Sequence, residues 1–257
     1  MTAFVAVICG VFGLVIGSFL NVVIWRVPRS ESVVRPPSHC PSCDTPIAPR
    51  DNIPVVSWLI LRGHCRRCGA HISFRYPFVE LLTGVLFAGV GIVFFDSWAL
   101  PAYLLLTAAL IALSAIDLEY YLLPNRIIYP VAIASVPMLL GAAVLDGDIG
   151  WFGRALAGAA IAFSFFYIVH IISPRGMGFG DVRLSFILGL YLGYLGWRYL
   201  FGGLFLGFFY GAVIGVTLIA LKIRTRKQHI PFGPFLAAGT MTFVLFGEPI
   251  VRWWTGS

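Results

Sequence analysis

Two aspartates at the ends of apolar segments are the residues of this sequence best suited to chemistry. Asp117 follows the apolar run Ala102–Ile116, and Asp181 comes just before another apolar run that continues to Tyr194. An ionisable side chain at the edge of a bilayer is costly, so it is a candidate functional group. One ionised and one protonated carboxylate can together activate water against a peptide bond. We therefore predict that Asp117 and Asp181 are a catalytic pair, whereas we expect Glu119 to be only a helix-end acid.

Three alternate glycines, Gly176, Gly178 and Gly180, precede Asp181. Because glycine has no Cβ, such a backbone can adopt unusual φ values and lets another chain come close. We expect Gly178 and Gly180 to form the backbone beside which an extended substrate lies. A simpler interpretation is that Asp181 caps the helix that follows, since aspartate is a favourable residue before a helix. Capping does not exclude catalysis.

The composition excludes an ordinary soluble domain. Apolar residues make up 59% of the 257 residues, charged residues make up only 11%, and the mean hydropathy is +0.91. These values lie far from the usual balance of a globular domain. The net charge of +7 does not indicate nucleic-acid binding, because no basic stretch is interleaved with aromatic residues. The sequence predicts an all-α polytopic membrane protein.

Eight segments are apolar over most of their length, and about 20 such residues cross roughly 30 Å of hydrocarbon as a helix. They are Ala3–Trp25, Pro77–Phe95, Trp98–Ile116, Ile127–Leu145, Ala155–Ile172, Leu184–Trp197, Tyr199–Leu221 and Pro231–Phe246. The sixth is the shortest, and its Gly189, Gly193 and Gly196 predict either close helix packing or an irregular half-helix. We expect about eight transmembrane helices.

A small loop domain, predicted between the first two helices, carries four cysteines. Cys40 and Cys43 form one Cys-x-x-Cys pair, Cys65 and Cys68 form another, and 21 residues lie between the pairs. Thiolates at this spacing can hold one Zn²⁺ tetrahedrally, and a metal can order a segment too short to bury its own core. Two disulfides are the alternative, which a cytosolic location disfavours. The fifth cysteine, Cys9, is expected to be a small residue of the core.

The basic residues predict the orientation in the membrane. If segment 26–75 is cytosolic, alternation places 117–126, 173–183 and 222–229 on the same side, and these segments hold 15 of the 18 lysines and arginines. Such an excess marks the cytosolic side, so both termini are expected outside. Both aspartates then lie at the cytosolic face, and the thiols lie in a reducing compartment. The run Lys222–Lys227 is expected to anchor the chain beside anionic lipid.

Several motifs together resemble the type IV prepilin leader peptidase family, membrane aspartic proteases with a Gly-x-Gly-Asp motif. The resemblance covers most of the chain. It is carried by Gly17–Pro28, Cys40–Cys68, Asn52–Leu59, Arg75–Glu80, Asp117 with Leu123-Pro124, Gly176–Leu184 and Pro231–Phe235. Two departures are visible: Asn125 stands where members often have Asp, and Arg183 stands where Lys is usual. Arginine in place of lysine could alter how a lipid or a leader carboxylate is held.

The resemblance implies an endopeptidase of the bacterial inner membrane that removes a short basic leader from type IV prepilins and pseudopilins. It also implies methylation of the new N-terminus with S-adenosylmethionine, for which the sequence alone indicates no binding residues. The implied organisation is a first transmembrane helix at 1–25, a zinc loop associated with methyl transfer at 26–75, and a peptidase core of seven helices at 76–257. By resemblance, the two catalytic acids are Asp117 and Asp181.

A different class of function remains open at this point. A non-enzymatic assembly factor, or a transporter, could use the zinc loop to dock a partner. A transporter would be expected to show repeats and polar residues at the membrane midplane, whereas no repeat is evident here and the acids lie at the cytosolic ends. Glu80, inside the second span, is expected to have a structural partner such as Arg75 or Arg62, or to line the methyl-donor site.

Overall fold

The computed structural model describes residues 1–174, 176–222 and 230–255 and divides the chain into two compact units, Met1–Phe95 and Asp96–Ser257. Within the described residues the chain is helical, with isolated β-bridges and no strand. Each of the eight predicted apolar segments corresponds to one long helix. Seven of these helices have the length and hydropathy to cross a membrane. The run Lys222–Lys227 lies, apart from Lys222, outside the described residues.

The first unit is a helix pair with a folded loop between its members. Helix α1 covers Thr2–Arg26, a short helix α2 covers Val56–Ile60, and α3 covers Arg75–Val93. Helices α1 and α3 approach closely because small residues line the seam: a Cβ on Gly17 would lie 2.7 Å from Cα of Glu80. Small residues at such seams let helix backbones come together in a membrane.

The described residues of the second unit form six helices. They are α4 (Leu100–Tyr120), α5 (Asn125–Leu145), α6 (Gly150–Ile172), α7 (Phe179–Leu195), α8 (Trp197–Ala220) and α9 (Gly233–Thr255). Helix α7 contacts α5, α6, α8 and α9 and is buried along most of its length. With 17 residues it is shorter than the other seven long helices. Because neighbouring helices cover it, it does not have to present a full membrane-spanning apolar surface to lipid.

The glycines of α7 serve close packing, and the alternative of an irregular half-helix is wrong. Helix α7 is a continuous α-helix that ends at Leu195. A Cβ on Gly189 would lie 2.5 Å from the carbonyl oxygen of Gly158 in α6, and a Cβ on Gly193 would lie 2.9 Å from that of Arg154. Only glycine allows this approach, so the α6–α7 seam is fixed by backbone contact.

Buried hydrogen bonds join α7 to α4 and α5. The hydroxyl of Tyr103 in α4 donates to the carbonyl of Tyr191 in α7 at 2.8 Å, and the hydroxyl of Tyr191 donates to the carbonyl of Ala102 at 2.9 Å. Ser135 in α5 is 2.7 Å from the same Tyr191 hydroxyl. Polar groups in an apolar interior are stable only when they are paired in this way, so these contacts fix the register of α4, α5 and α7.

Candidate active site

Asp117 lies in the last turn of helix α4. The helix ends at Tyr120, and Tyr121 follows in the left-handed conformation with φ of 54°, its N–H donating to the carbonyl of Asp117. The Asp117 side chain is only 5% exposed. Its Oδ2 accepts a hydrogen bond of 3.1 Å from the backbone N–H of Gly233, the first residue of α9. A buried carboxylate is thereby held by a helix N-terminus, where backbone donors are free.

Asp181 lies in the first turn of helix α7, directly after the Gly-rich segment. The backbone N–H of Asp181 donates to the carbonyl of Gly178, the residue before the helix, at 3.1 Å. The side chain is 7% exposed, and its Oδ1 is buried without a hydrogen-bond partner among the described residues. A buried polar atom without a protein partner is uncommon and often marks a functional position.

One cavity of about 170 Å³ contains both carboxylates. Asp117 and Asp181 line it, and they are near enough to interact electrostatically. Its remaining walls are the segments that precede or follow the helices: Tyr121, Leu122, Leu123, Gly178, Gly180, Arg183, Pro231 and Phe232. The two aspartates predicted from sequence are thus brought together by helix ends that are distant along the chain.

The glycines before Asp181 act through close packing. Their expected unusual φ values are absent: in the described part of the chain, positive φ among glycines occurs only at Gly63, Gly69, Gly147 and Gly196. A Cβ on Gly180 would lie 2.9 Å from Cβ of Leu123, and one on Gly178 would lie 3.3 Å from Oδ2 of Asp181. Gly180 therefore lets Leu123 approach the start of α7, and Gly178 leaves room for the carboxylate of Asp181.

Two further residues organise the cavity and were not singled out for this role from sequence. Gly233 donates its backbone N–H to Asp117. It lies within the motif Pro231–Phe235, for which no chemical role was predicted. His170, near the end of α6, has Nδ1 2.8 Å from the carbonyl oxygen of Met177 and so ties the Gly-rich segment to α6. The contact between Gly233 and Asp117 joins residues 116 positions apart, so it leaves no periodic signal in a single sequence.

The first unit brings the four loop cysteines into one cluster. The Sγ atoms of Cys40, Cys43, Cys65 and Cys68 all lie within 4.8 Å of one another, and those of Cys40 and Cys68 are 3.8 Å apart. All four are free thiols rather than disulfides. With Zn–S bonds of about 2.3 Å, a tetrahedral site has S···S edges of roughly 3.8 Å. The cluster therefore has the composition and size that a tetrahedral zinc ion requires.

The two cysteine pairs form matching turns. In each turn a residue just after the second cysteine donates its N–H to the carbonyl of the first: Asp44 to Cys40 at 2.8 Å and Gly69 to Cys65 at 3.0 Å. Hydrogen bonding with Thr45, first through its side chain and then through its backbone, lowers the pKa of the Cys43 thiol to about 6. The order His-Cys-x-x-Cys, followed four residues later by Ile, occurs in both turns. This short local repeat was missed in the sequence and would have strengthened the zinc prediction.

Comparison with known proteins agrees with this geometry. A sequence model described as the bacterial peptidase A24 N-terminal domain matches residues 11–94, and a model described as the type IV leader peptidase family matches residues 104–216. A prepilin leader peptidase/N-methyltransferase of Aeromonas hydrophila is 41% identical over 95% of this chain and 91% of its own length. The chain belongs to the type IV leader peptidase family.

Relatives with the same name occur in other bacteria. The protein of Bacillus subtilis is 34% identical over 95% of both chains, and that of Neisseria gonorrhoeae is 32% identical over 99% of this chain and 96% of its own length. No solved structure matches the chain. The A24 N-terminal match falls within the first unit and the leader peptidase match within the second, so the cysteine cluster and the aspartate cavity belong to separately recognised regions.

The partner found for Glu80 is a backbone N–H, whereas Arg75 or Arg62 was the structural partner expected from sequence. Its Oε2 accepts a hydrogen bond of 2.7 Å from the N–H of Val55. Val55 has φ of 61° and ψ of −49°, and the N–H of Val56 bonds the carbonyl of Pro54 across it at 2.6 Å. A β-branched residue rarely adopts this conformation, so the buried carboxylate stabilises a strained tight turn.

Proposed function

We propose that this protein is a membrane aspartic endopeptidase that removes the leader peptide of type IV prepilins and pseudopilins. The observation that carries the proposal is the shared burial of Asp117 and Asp181 in one cavity of the region that matches the leader peptidase family. A non-enzymatic assembly factor or transporter is not favoured, because the relatives are named as enzymes over nearly the whole length of the chain.

The two carboxylates would divide the acid–base chemistry of peptide hydrolysis between them. One, ionised, takes a proton from water as the water attacks the scissile carbonyl; the other, protonated, donates to the carbonyl oxygen. The Gly233 N–H orients Asp117, and Oδ1 of Asp181 makes no hydrogen bond among the described residues, so this buried oxygen is not committed to a protein donor. Since the carboxylates interact, their protons belong to the pair, and neither residue alone is assigned as base or acid.

The substrate must enter this cavity in an extended form. Hydrolysis requires an exposed peptide bond, whereas a transmembrane helix has its carbonyls hydrogen-bonded, so the substrate helix unwinds locally near the scissile bond. Gly178 and Gly180 line the cavity without side chains and give an extended chain access to Asp181. Cleavage after a glycine of the leader, expected from the family resemblance, is compatible with a cavity of about 170 Å³.

The direct test uses purified full-length protein and a prepilin substrate in detergent. Mass spectrometry of the product should show a new N-terminus at the leader junction with wild-type protein and intact precursor with Asp181→Asn. When S-adenosylmethionine is included, the product should also gain the mass of one methyl group. An unprocessed precursor with folded wild-type protein would contradict the proposal.

We further propose N-methylation of the new N-terminus, supported by the relatives' names and by the separate N-terminal match. The first unit has a cavity of about 480 Å³, within the usual range for small-ligand sites. Its lining includes Ser18 and the buried Arg26, whose cation suits the carboxylate of S-adenosylmethionine. When bound, that molecule supplies the methyl group. Arg26 and Ser18 would hold its polar end, while Phe19 and Pro54 would exclude water.

Zinc is proposed to be structural. Four cysteines complete a tetrahedral coordination sphere, which leaves no open position for water or substrate. The ion would join the two matching turns within the loop 26–75, where Asp51 and Arg66 also form an ion pair of 2.7 Å. We assign this loop to the methyl-transfer region and the helices of 76–257 to the peptidase, following the family resemblance.

The chain is a multi-pass protein of the bacterial inner membrane, and its orientation is proposed from its charges. Seven apolar helices and membrane-peptidase relatives support the location. The excess of lysine and arginine in the four segments named above favours both termini outside and the aspartate cavity at the cytosolic face. The partners that we propose for the protein are prepilins or pseudopilins and the surrounding lipid, with no role for nucleic acid.

A further inference from the structure

A tight turn forms one wall of the methyl-donor cavity, the cavity of about 480 Å³ in the first unit. The segment 52–54 lines this cavity together with residues of α1. Directly after it, Val55 has φ of 61° and ψ of −49°, and the Val56 N–H donates to the Pro54 carbonyl at 2.6 Å. These angles are close to the rare, strained form of the three-residue turn. The wall is therefore built on a conformation that valine ordinarily avoids.

Glu80 in α3 supports this turn. Its Oε2 accepts a hydrogen bond of 2.7 Å from the Val55 N–H, and the residue is only 8% exposed. The hydroxyl of Ser18, a residue of α1 that lines the cavity, contacts the same carboxylate. The described residues that line the cavity do not include Glu80 itself. One buried side chain thus joins two walls of the cavity without reaching its interior.

The groups on both sides of the Glu80 hydrogen bond are fixed. A Cβ on Gly17 would lie 2.7 Å from Cα of Glu80, so close backbone packing of α1 on α3 keeps Glu80 in place. On the loop side, the Ser57 hydroxyl holds the preceding segment through two backbone hydrogen bonds, both of 3.0 Å. With both flanks held, the conformation of Val55 depends chiefly on its hydrogen bond to Glu80.

We propose that Glu80 is a positioning residue for methyl transfer, which holds the Val55 turn in the form that completes the methyl-donor cavity. The inference rests on the proposed N-methylation and on the assignment of this cavity to S-adenosylmethionine. The hydrogen bond from Val55 offsets the strain of the turn, which persists only while the surrounding structure supports it. Without the carboxylate, the segment 52–54 would leave the cavity wall for part of the time. Donor affinity would then fall in proportion to the fraction of protein that keeps the turn.

The test measures donor binding and leader removal separately, using purified full-length protein in detergent. Glu80→Leu removes the acceptor but keeps a side chain of similar size and high helix propensity. Its Kd for S-adenosylmethionine by titration calorimetry, and its KM for the donor, should rise about tenfold if the turn is kept about one tenth of the time. The kcat/KM for leader removal, the KM for the prepilin and the zinc content should not change.

Glu80→Gln tests whether the hydrogen bond or the charge matters. The amide oxygen of glutamine can still accept the Val55 N–H, but the side chain is neutral. Donor affinity should therefore stay much closer to wild type than in Glu80→Leu. An equal loss in both variants would show that the charge acts on the donor directly, and the positioning role would be wrong.

Val55→Gly tests whether Glu80 acts through the turn. Glycine populates positive φ about as readily as negative φ, so a glycine turn does not need the carboxylate. Added to Glu80→Leu, this change should return donor affinity toward the wild-type value. Val56→Gly is the matched control, because Val56 is the first residue of α2 and has no positive φ. Added to Glu80→Leu, it should restore nothing.

Each outcome decides the inference. Unchanged donor affinity in Glu80→Leu, or no recovery when Val55→Gly is added, would overturn it. Joint loss of donor binding, leader removal and zinc in Glu80→Leu would make Glu80 a general structural residue and would overturn it as well. If wild-type protein binds no S-adenosylmethionine, the proposed methyl-donor site itself fails, whereas normal prepilin cleavage by the same sample would leave the peptidase function standing.

Discussion

Substitution of Gly233 by alanine should separate folding from catalysis. The added Cβ would lie 2.8 Å from Oδ2 of Asp117, whereas ordinary contacts of a Cβ begin at 3.4 Å. The difference of 0.6 Å has to be removed by movement. Since Oδ2 is the free end of a side chain, the carboxylate can rotate away at little cost to the fold. The same rotation removes the oxygen from the position that the reaction requires.

The expected loss follows from the size of this displacement. A misplacement of about 1 Å can cost on the order of a hundredfold in rate, so a shift of 0.6 Å should lower kcat by about ten- to a hundredfold. KM should change little, because the walls that contact substrate remain. Stability should change by less than about 1 kcal/mol, since alanine favours helix over glycine by a similar amount.

The assay is the initial rate of leader removal from a prepilin by purified protein, with the melting temperature measured in the same detergent. Gly141→Ala is the matched control, because no heavy atom lies within 4 Å of a Cβ added there in α5. This control should retain the wild-type kcat. A Gly233→Ala variant that retains kcat within about twofold would refute the reasoning, since a displaced catalytic carboxylate should cost far more than that.

Three other changes test the remaining assignments. Asp117→Asn and Asp181→Asn should each lower leader removal by at least about a hundredfold, because an amide cannot shuttle the proton, while Glu119→Gln should retain most activity; near wild-type cleavage by Asp181→Asn would contradict the catalytic pair. Wild-type protein should contain one zinc ion per chain by atomic emission, and Cys43→Ser should contain less and should have a disordered loop. Methyl transfer should be affected more than cleavage. Full metal content in a Cys43/Cys65 double variant would exclude the site. A reporter active only outside the cytosol should be active after Gly150 or at the C-terminus and silent after Arg50 or Lys227, and activity after Arg50 would reverse the proposed orientation.

Hydropathy was sufficient to predict the helices, because each long apolar segment has only one stable form in a membrane. The structure therefore shows a helix at each of the eight predicted segments. Hydropathy could not decide whether the shortest segment is a closely packed helix or an irregular half-helix. Helix α7 is continuous, and its Gly189 lets Gly158 of α6 approach closely. The partner of such a glycine cannot be identified from the glycines of one helix alone.

The site was predictable in its chemistry but only partly in its construction. Asp117 and Asp181 were recognisable because an acid beside an apolar run is unusual, and basic residues placed both on one face. The donor to Asp117 could not be predicted, since Gly233 is separated from it by 116 positions. The same holds in the first unit, where the contact between Val55 and Glu80 depends on the path of the whole loop.

The location of the aspartates at helix ends has a physical cause beyond access to water. A buried carboxylate needs hydrogen-bond donors, but inside a membrane helix every backbone N–H is already used. Free N–H groups occur only in the first turn of a helix. Asp117 obtains one from the start of α9 at Gly233, and Asp181 lies in the first turn of α7. An active site built on two such acids therefore has to lie where helices begin, which is also where an extended substrate can reach it.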